Sequence, residues 1–173
     1  MALLEQSKKK MNFDFIHLSP TELQEHLAQA TIYATDIDTT AGTLRIYATE
    51  KGIFETHFDQ TPSEHYPHTQ FLHHDAFQKL FPQPYPLIIT GTDLQIKVWQ
   101  ATCAIPAGTT VSYSKLAQKI GHPKAVRAVA NALAANKIAY FIPCHRVIAK
   151  DGTLGGYAWG IGLKKELLIQ EKC

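Results

Sequence analysis

Two breaks, Ile105-Pro106-Ala107-Gly108 and Gly121-His122-Pro123, confine what the middle of this chain can fold into. Proline lacks a backbone N–H and glycine readily takes positive φ, so neither stretch continues a helix. Each is followed by residues that start one. Ser112 or Thr110 is placed to cap a helix carrying Tyr113, Leu116, Ala117 and Ile120 on one side, because a hydroxyl accepts from an unpaired first-turn N–H. Gly121 closes that helix in the left-handed conformation, and Pro123 opens the next at the first-turn position that tolerates it. Upstream, Gly91-Thr92-Asp93 leads into a helix with Leu94, Val98 and Ala101 on one face and Trp99 beside them. Two short helices joined by a tight glycine-containing turn form a helix-turn-helix candidate.

The second of these helices divides into two faces. At 3.6 residues per turn, Val126, Val129 and Leu133 form an apolar stripe, opposite Lys124, Arg127, Ala128, Asn131 and Ala135. Small side chains let a helix backbone approach a nucleic-acid groove, and an Arg near its start can contact phosphate or enter the base stack. An ordinary alanine-rich surface helix has the same composition. Charge separates the two readings. Residues 1–88 hold 6 Lys/Arg against 11 Asp/Glu, a balance of −5, and residues 89–173 hold 11 against 4, a balance of +7. A basic half beside an acidic one fits a polyanion facing the C-terminal part, although a solvated basic surface would have the same count.

The N-terminal part reads differently. Leu44 to Ala48 and Ile53 to Phe58 are extended runs around a hairpin-like turn at Thr49-Glu50-Lys51-Gly52, and Thr21–Ala30 and Asp75–Leu80 look helical. Gln60 to Pro86 is rich in Pro, His and Ser and reads as a loop or linker. Its His65, His68, His73 and His74 lack nearby cysteines or spaced carboxylates, so solvated histidines are expected and no metal site. Two domains follow, 1–88 and 89–173, of an α/β two-domain class.

Ile142-Pro143-Cys144-His145-Arg146-Val147 carries the chemistry. A thiol reacts as thiolate and titrates near ~8.5 when free, so it needs a base or positive charge beside it; this segment offers both. A buried structural cysteine in a strand is the plain alternative. Three scattered cysteines do not make a disulfide framework, which points to a reduced, cytoplasmic compartment. No apolar run reaches the length of a membrane span, and Met1-Ala2-Leu3-Leu4-Glu5 before Lys8-Lys9-Lys10 does not read as a secretory signal.

These motifs, in order with Gln95, Asn136 and Gly155-Gly156-Tyr157, resemble the O6-alkylguanine-DNA alkyltransferases (methylated-DNA–protein-cysteine methyltransferases) from Gly91 to Glu171. The resemblance implies a ribonuclease-H-like N-terminal domain and a mainly α, winged-helix-like C-terminal domain containing the helix-turn-helix. It implies repair by direct reversal. An alkyl group, mainly methyl, moves from O6 of guanine, and less from O4 of thymine, in duplex DNA to Cys144, once per molecule. By the same resemblance His145 is the base acting through a bridging water, Glu171 orients it, and Asn136 ties the recognition helix to the active-site loop. The target nucleotide is flipped out, with Arg127 filling the gap. Tyr113 rotates the adjoining phosphate and donates to the guanine ring. Lys124, Ala125, Val126, Ala128, Ala130 and Asn131 complete the DNA-facing set. The Val147 carbonyl and the Ala158 N–H read the base, and Leu133, Tyr157 and Trp159 shape the pocket. No cofactor and no metal are implied, and a monomer without membrane contact is expected, its partner being double-stranded DNA with alkylated bases.

Two departures bear on specificity. Lys137 stands where many members have proline, which predicts a looser active-site loop. Trp159 stands where many have a small residue, which predicts a narrowed pocket mouth and poor acceptance of benzyl-sized groups. The alternative function is a non-catalytic protein that binds alkylated lesions, and the presence of Cys144 speaks against it. A cysteine hydrolase with turnover would leave the helix-turn-helix and the basic half without a role.

Overall fold

The computed structural model of the chain describes residues 13–58, 66, 68–81 and 84–173. They form two compact units, Phe13–Gly91 and Thr92–Cys173. His65 and parts of the Pro- and His-rich stretch lie outside the described residues.

The first unit is built on a mixed sheet. Its strands β1 (Phe15–His17), β2 (Tyr33–Thr39), β3 (Gly42–Thr49), β4 (Gly52–His57), β5 (Gln70–Phe71) and β6 (Leu87–Ile89) lie in the order β1-β6-β4-β3-β2-β5. β2, β3 and β4 form an antiparallel meander, and the outer pairings β1–β6, β4–β6 and β2–β5 are parallel. The hairpin expected at Thr49-Glu50-Lys51-Gly52 is the β3–β4 turn. Gly52 has φ +149°, and a Cβ there would meet the Pro86 carbonyl oxygen at 2.4 Å, so only glycine lets β4 approach the chain leading into β6. β2 escaped the sequence reading because Asp36 and Asp38 interrupt its apolar positions. Their presence is explained across the sheet: Asp36 stands opposite Arg45 and accepts from its Nε and Nη2 at 2.7 and 2.8 Å.

Helices α1 (Pro20–Gln29) and α2 (His74–Leu80) cover the sheet. Ser19 and Glu22 make a reciprocal capping box at the start of α1, with contacts of 2.7 and 3.2 Å. Leu23 and Leu27 of α1 pack against Ala34, Tyr47, Phe54 and Ile88. On α2, Phe77 stacks with Phe81 at a centroid separation of 4.6 Å, and Tyr33 packs edge-on to Phe81. Among the described residues no group of His, Cys, Asp or Glu is placed to hold a metal ion.

The second unit contains α3 (Asp93–Cys103), β7 (Val111–Ser112), α4 (Tyr113–Lys119), α5 (Val126–Ala134), a 3-10 turn (Cys144–Arg146), β8 (Val147–Ile148) and α6 (Ile161–Gln170). Thr92 and Gln95 cap α3 reciprocally, and the Trp99 indole on its buried face donates to the Ala132 carbonyl at 2.8 Å, tying α3 to α5. Ser112 caps α4 by accepting from the Lys115 N–H. Gly121 follows in the left-handed conformation, φ +78°. Pro123 does not open α5. His122 and Ala125 close a separate hydrogen-bonded turn through Ala125 N–H to His122 O, so the helix begins at Val126. Val129, Ala132 and Leu133 are its buried face, with Val126 half-buried. Among the described residues no helix is long and apolar enough to cross a membrane.

Candidate active site

Cys144 begins the 3-10 turn that leads into β8. With about three residues per turn, adjacent side chains in such a turn are rotated by about 120°, so Cys144 and His145 face different surroundings. Both Cys144 and His145 are buried, at 4% and 1% exposure. The Cys144 thiol is held from one side by Asn136, whose Nδ2 lies 3.2 Å from Sγ. The same amide donates to the Ile142 carbonyl at 3.2 Å, and its Oδ1 accepts from the Ile138 N–H at 2.8 Å. One side chain, two residues past the end of α5, thus pins the loop that carries the thiol. Ile138 through Ile142 are all buried. Asn136 and this apolar packing hold the segment that follows Lys137.

His145 turns the other way. Its Nε2 lies 3.0 Å from Glu171 Oε1, at the C-terminal end of α6. Arg146 completes the carboxylate's shell, donating from Nε to Oε2 at 2.9 Å and from Nη2 to Oε1 at 2.7 Å, while its Nη1 reaches the Ile105 carbonyl at 2.6 Å. Burial pushes the Glu171 carboxyl upward, but hydrogen bonds from His145 and Arg146 outweigh it and hold the group at about 2. An ionised carboxylate only accepts, so Nε2 carries the His145 proton and Nδ1 bears the lone pair. That Nδ1 is buried without a hydrogen-bond partner. Burial also pushes the imidazolium form of His145 down, against the pull of Glu171, so the ring stays neutral at pH 7.

The thiol itself is disfavoured as an anion. Burial pushes Cys144 up to about 12, opposed by the Asn136 hydrogen bond and by the charge of Lys164. Such a cysteine is protected in the resting protein and reacts only when its proton is removed as the electrophile arrives. It sits on a cavity of about 280 Å³. Ala130, Asn131, Leu133 and Ala134 of α5 form one wall, Gly156, Tyr157 and Ala158 another, with Tyr113 between them.

The sequence-derived set is therefore split. Tyr113, Leu133, Cys144, Tyr157 and Ala158 meet at the cavity, joined by Ala130 and Asn131, which had been placed only on the DNA-facing side. Val147 and Trp159 do not line it. Trp159 packs on Tyr157 with ring centroids 5.3 Å apart, so any narrowing of the mouth acts through Tyr157. The Val147 carbonyl accepts from Lys164 Nζ at 2.6 Å. Arg127 is exposed on α5, Ala128 lies beside it half-buried, and Lys124 is exposed in the preceding turn with Ala125 as the cap of α5. Sequence reasoning missed Ala134, Gly156 and Lys164; in Lys164-Lys165 nothing distinguishes the buried lysine from its exposed neighbour.

Gly155 shows how tightly the second wall is built. Its φ is +67°, and an added Cβ would lie 3.0 Å from the Tyr113 hydroxyl. Gly155→Ala is expected to cost about 1–2 kcal/mol through backbone strain and displacement of Tyr113. Thermal melting checks this, and an unchanged midpoint would show that the wall gives way freely.

Comparison with known proteins gives one consistent result. The family profile described as 6-O-methylguanine DNA methyltransferase, DNA binding domain, matches residues 93–173. The bifunctional transcriptional activator/DNA repair enzyme Ada of Escherichia coli is 58% identical over 94 residues, 54% of this chain and 27% of that protein; the chain thus spans about a quarter of that relative's length. The crystal structure of the Mycobacterium tuberculosis O6-methylguanine methyltransferase superposes with a TM-score of 0.68 at 34% identity, covering 82% of this chain and 93% of that one. A second structure, of Mycobacterium tuberculosis OGT in complex with DNA, has a TM-score of 0.67 at 34% identity, covering 81% and 92%.

Proposed function

Because the chain belongs to the O6-methylguanine methyltransferase family, we propose that it repairs alkylated DNA by moving the alkyl group from O6 of guanine, and less readily from O4 of thymine, to Cys144. The observation that carries this reading is a buried thiol on the floor of a cavity walled by a helix-turn-helix, with a neutral, carboxylate-oriented histidine next in sequence. The Cys144 proton passes through a bridging water to His145 Nδ1, the lone-pair nitrogen left by the Glu171 contact. A new C–S bond forms at the alkyl carbon as its C–O bond breaks. The electron pair goes to the base, where the Tyr113 hydroxyl offers a proton or hydrogen bond. The product is a thioether with no leaving group in reach, so each molecule reacts once.

To bring the target atom to Cys144 the nucleotide is flipped out of the duplex. Arg127, exposed on α5, fills the gap; Lys124, Ala125, Val126, Ala128 and Asn131 lie along the groove, whose close approach the small residues permit. Leu133, Tyr157 and Ala158 enclose the base. The α4–α5 pair with the short β7–β8 ladder supports a winged-helix-like reading of residues 89–173. The antiparallel meander flanked by parallel strands supports a ribonuclease-H-like reading of residues 1–88. The working form is a monomer in the cytoplasm without cofactor. A lesion-binding protein that transfers nothing is the rival, and it leaves the thiol of Cys144 and the Glu171-oriented His145 beside it in sequence without purpose.

The test is a duplex labelled on a single O6-methylguanine. Transfer is expected to plateau at one label per protein; repeated turnover or unlabelled protein would refute the reading. Two further results follow. His145 titrates below its ordinary value of about 6.5 because burial disfavours the cation, so transfer should persist as pH falls through 6.5; a single-turnover rate that halves there would show that burial does not lower the His145 titration. Trp159→Gly, by freeing Tyr157, should speed reaction with free O6-benzylguanine about tenfold over the slow parent; an unchanged rate would show that Trp159 has no part in excluding large groups.

A further inference from the structure

Along α5 the exposed residues are Arg127, Asn131 and Ala134. At 3.6 residues per turn they fall within about 60° of one another and form one outward stripe. Ala134 has no side-chain hydrogen-bonding atom, so side-chain readout of a base edge from this helix is left to Arg127 and Asn131. The two differ in place. Arg127 does not line the cavity, whereas Asn131, one turn further on, lies on its wall beside Ala130, Leu133 and Ala134. None of those three neighbours has a polar side chain. The other asparagine close by, Asn136, is 4% exposed and committed inside, to Cys144, Ile138 and Ile142. Asn131 is thus the carboxamide that stands exposed on the pocket wall.

We propose that Asn131 is a specificity-determining residue: its carboxamide reads the minor-groove edge of the base pair beside the flipped nucleotide and favours G·C there. The proposal rests on the transfer reading, in which Arg127 occupies the gap in the stack. Four residues on, and on the same stripe, Asn131 stands about 6 Å further along the helix axis. Successive bases are about 3.4 Å apart, so this step carries it past the gap to the neighbouring pair. A face of alanines and a side chain inserted between bases suit the narrow minor groove. In that groove A·T and T·A show acceptors only, whereas G·C adds the N2 amino donor of guanine. A carboxamide complements both, since its NH2 donates to N3 or O2 and its oxygen accepts from the amino group. Lys124 and Arg127 carry donors only and have nothing to offer that amino group. Among the exposed polar side chains of this stripe and the turn before it, the preference therefore falls to Asn131.

The test uses duplexes with one O6-methylguanine whose neighbouring pair, on each side in turn, is G·C, inosine·C or A·T. Inosine is guanine without the amino group. Affinities are measured by gel shift at fixed salt in a Cys144→Ser background, so that the lesion survives, with and without Asn131→Ala. Single-turnover transfer is followed beside them with Cys144 in place. Alanine is the better helix former, so the exposed substitution keeps α5. Dividing the preference for G·C over inosine·C with Asn131 present by that in Asn131→Ala removes the duplex's own cost of flipping. On one side of the lesion that quotient is expected to be about fivefold to tenfold, with A·T behaving as inosine·C does. A quotient near one on both sides overturns the proposal. That includes the case in which Asn131→Ala weakens every duplex alike, which would place the contact on a phosphate or on the flipped base. If no alkyl group leaves any duplex, the functional reading fails while the affinities still decide the role of Asn131.

Discussion

Cys144→Ser is expected to abolish alkyl transfer, by more than about 10³-fold, while leaving lesion binding intact. Oxygen is a far weaker nucleophile than sulfur at a saturated carbon, and the hydroxyl's proton is held more tightly than the thiol's. Nothing else near the cavity replaces it, since Cys103 is buried against the Phe141 carbonyl and does not line the cavity. The structural cost is small: Asn136 Nδ2 can donate to a serine oxygen as it does to the sulfur, and the loss should stay within about 1–2 kcal/mol. Gel-shift titration against a duplex carrying O6-methylguanine, run beside single-turnover transfer, measures both halves of the prediction. Residual transfer in the serine variant would place the acceptor elsewhere.

Glu171→Ala carries the second large effect, and here stability and chemistry fail together. The carboxylate accepts from His145 and twice from Arg146, whose side chain is 5% exposed. Removing it leaves a buried guanidinium with only the Ile105 carbonyl, and breaking such a pair costs about 3–5 kcal/mol. It also frees the His145 tautomer, so Nδ1 is no longer fixed as the lone-pair nitrogen. Glu171→Gln keeps the shape and separates these losses. The pH signature has a fixed sign. The Glu171 carboxyl lies at about 2 in the folded protein, below its ordinary value of about 4.5. Its contribution is therefore complete above pH 4.5 and is lost as pH falls toward 2. Urea denaturation of the parent should show that loss across this window, and Glu171→Gln should show little of it; parallel profiles would mean that the carboxylate contributes nothing as an anion.

How far the chain could be read without coordinates depends on how local each interaction is. The capped helices, the glycine after α4 and the β3–β4 hairpin rest on neighbouring residues, and each was legible. Cys144 and His145 stood out because they are adjacent, although adjacency alone left a buried structural cysteine open. Glu171 was not: it meets His145 across 26 residues, from the end of another helix, and only resemblance suggested it. Lys164 gave no signal at all, since burial of one lysine in a Lys-Lys pair is decided by three carbonyls on β8 and a distant loop. β2 was hidden by aspartates whose purpose is an arginine on the next strand. Trp159 was expected to shape the pocket directly, but Gly156, Tyr157 and Ala158 line the cavity while Trp159 packs on Tyr157, a contact that sequence spacing does not reveal.

The central claim is that Cys144 is a consumed acceptor and not a recycling nucleophile. Peptide mapping by mass spectrometry after reaction with a methylated duplex tests it most directly. One added methyl group is expected, carried by the peptide containing Cys144, together with an equal amount of restored guanine in the DNA. A methyl group on Cys103 or Cys173, or restored guanine in excess over protein, would contradict it.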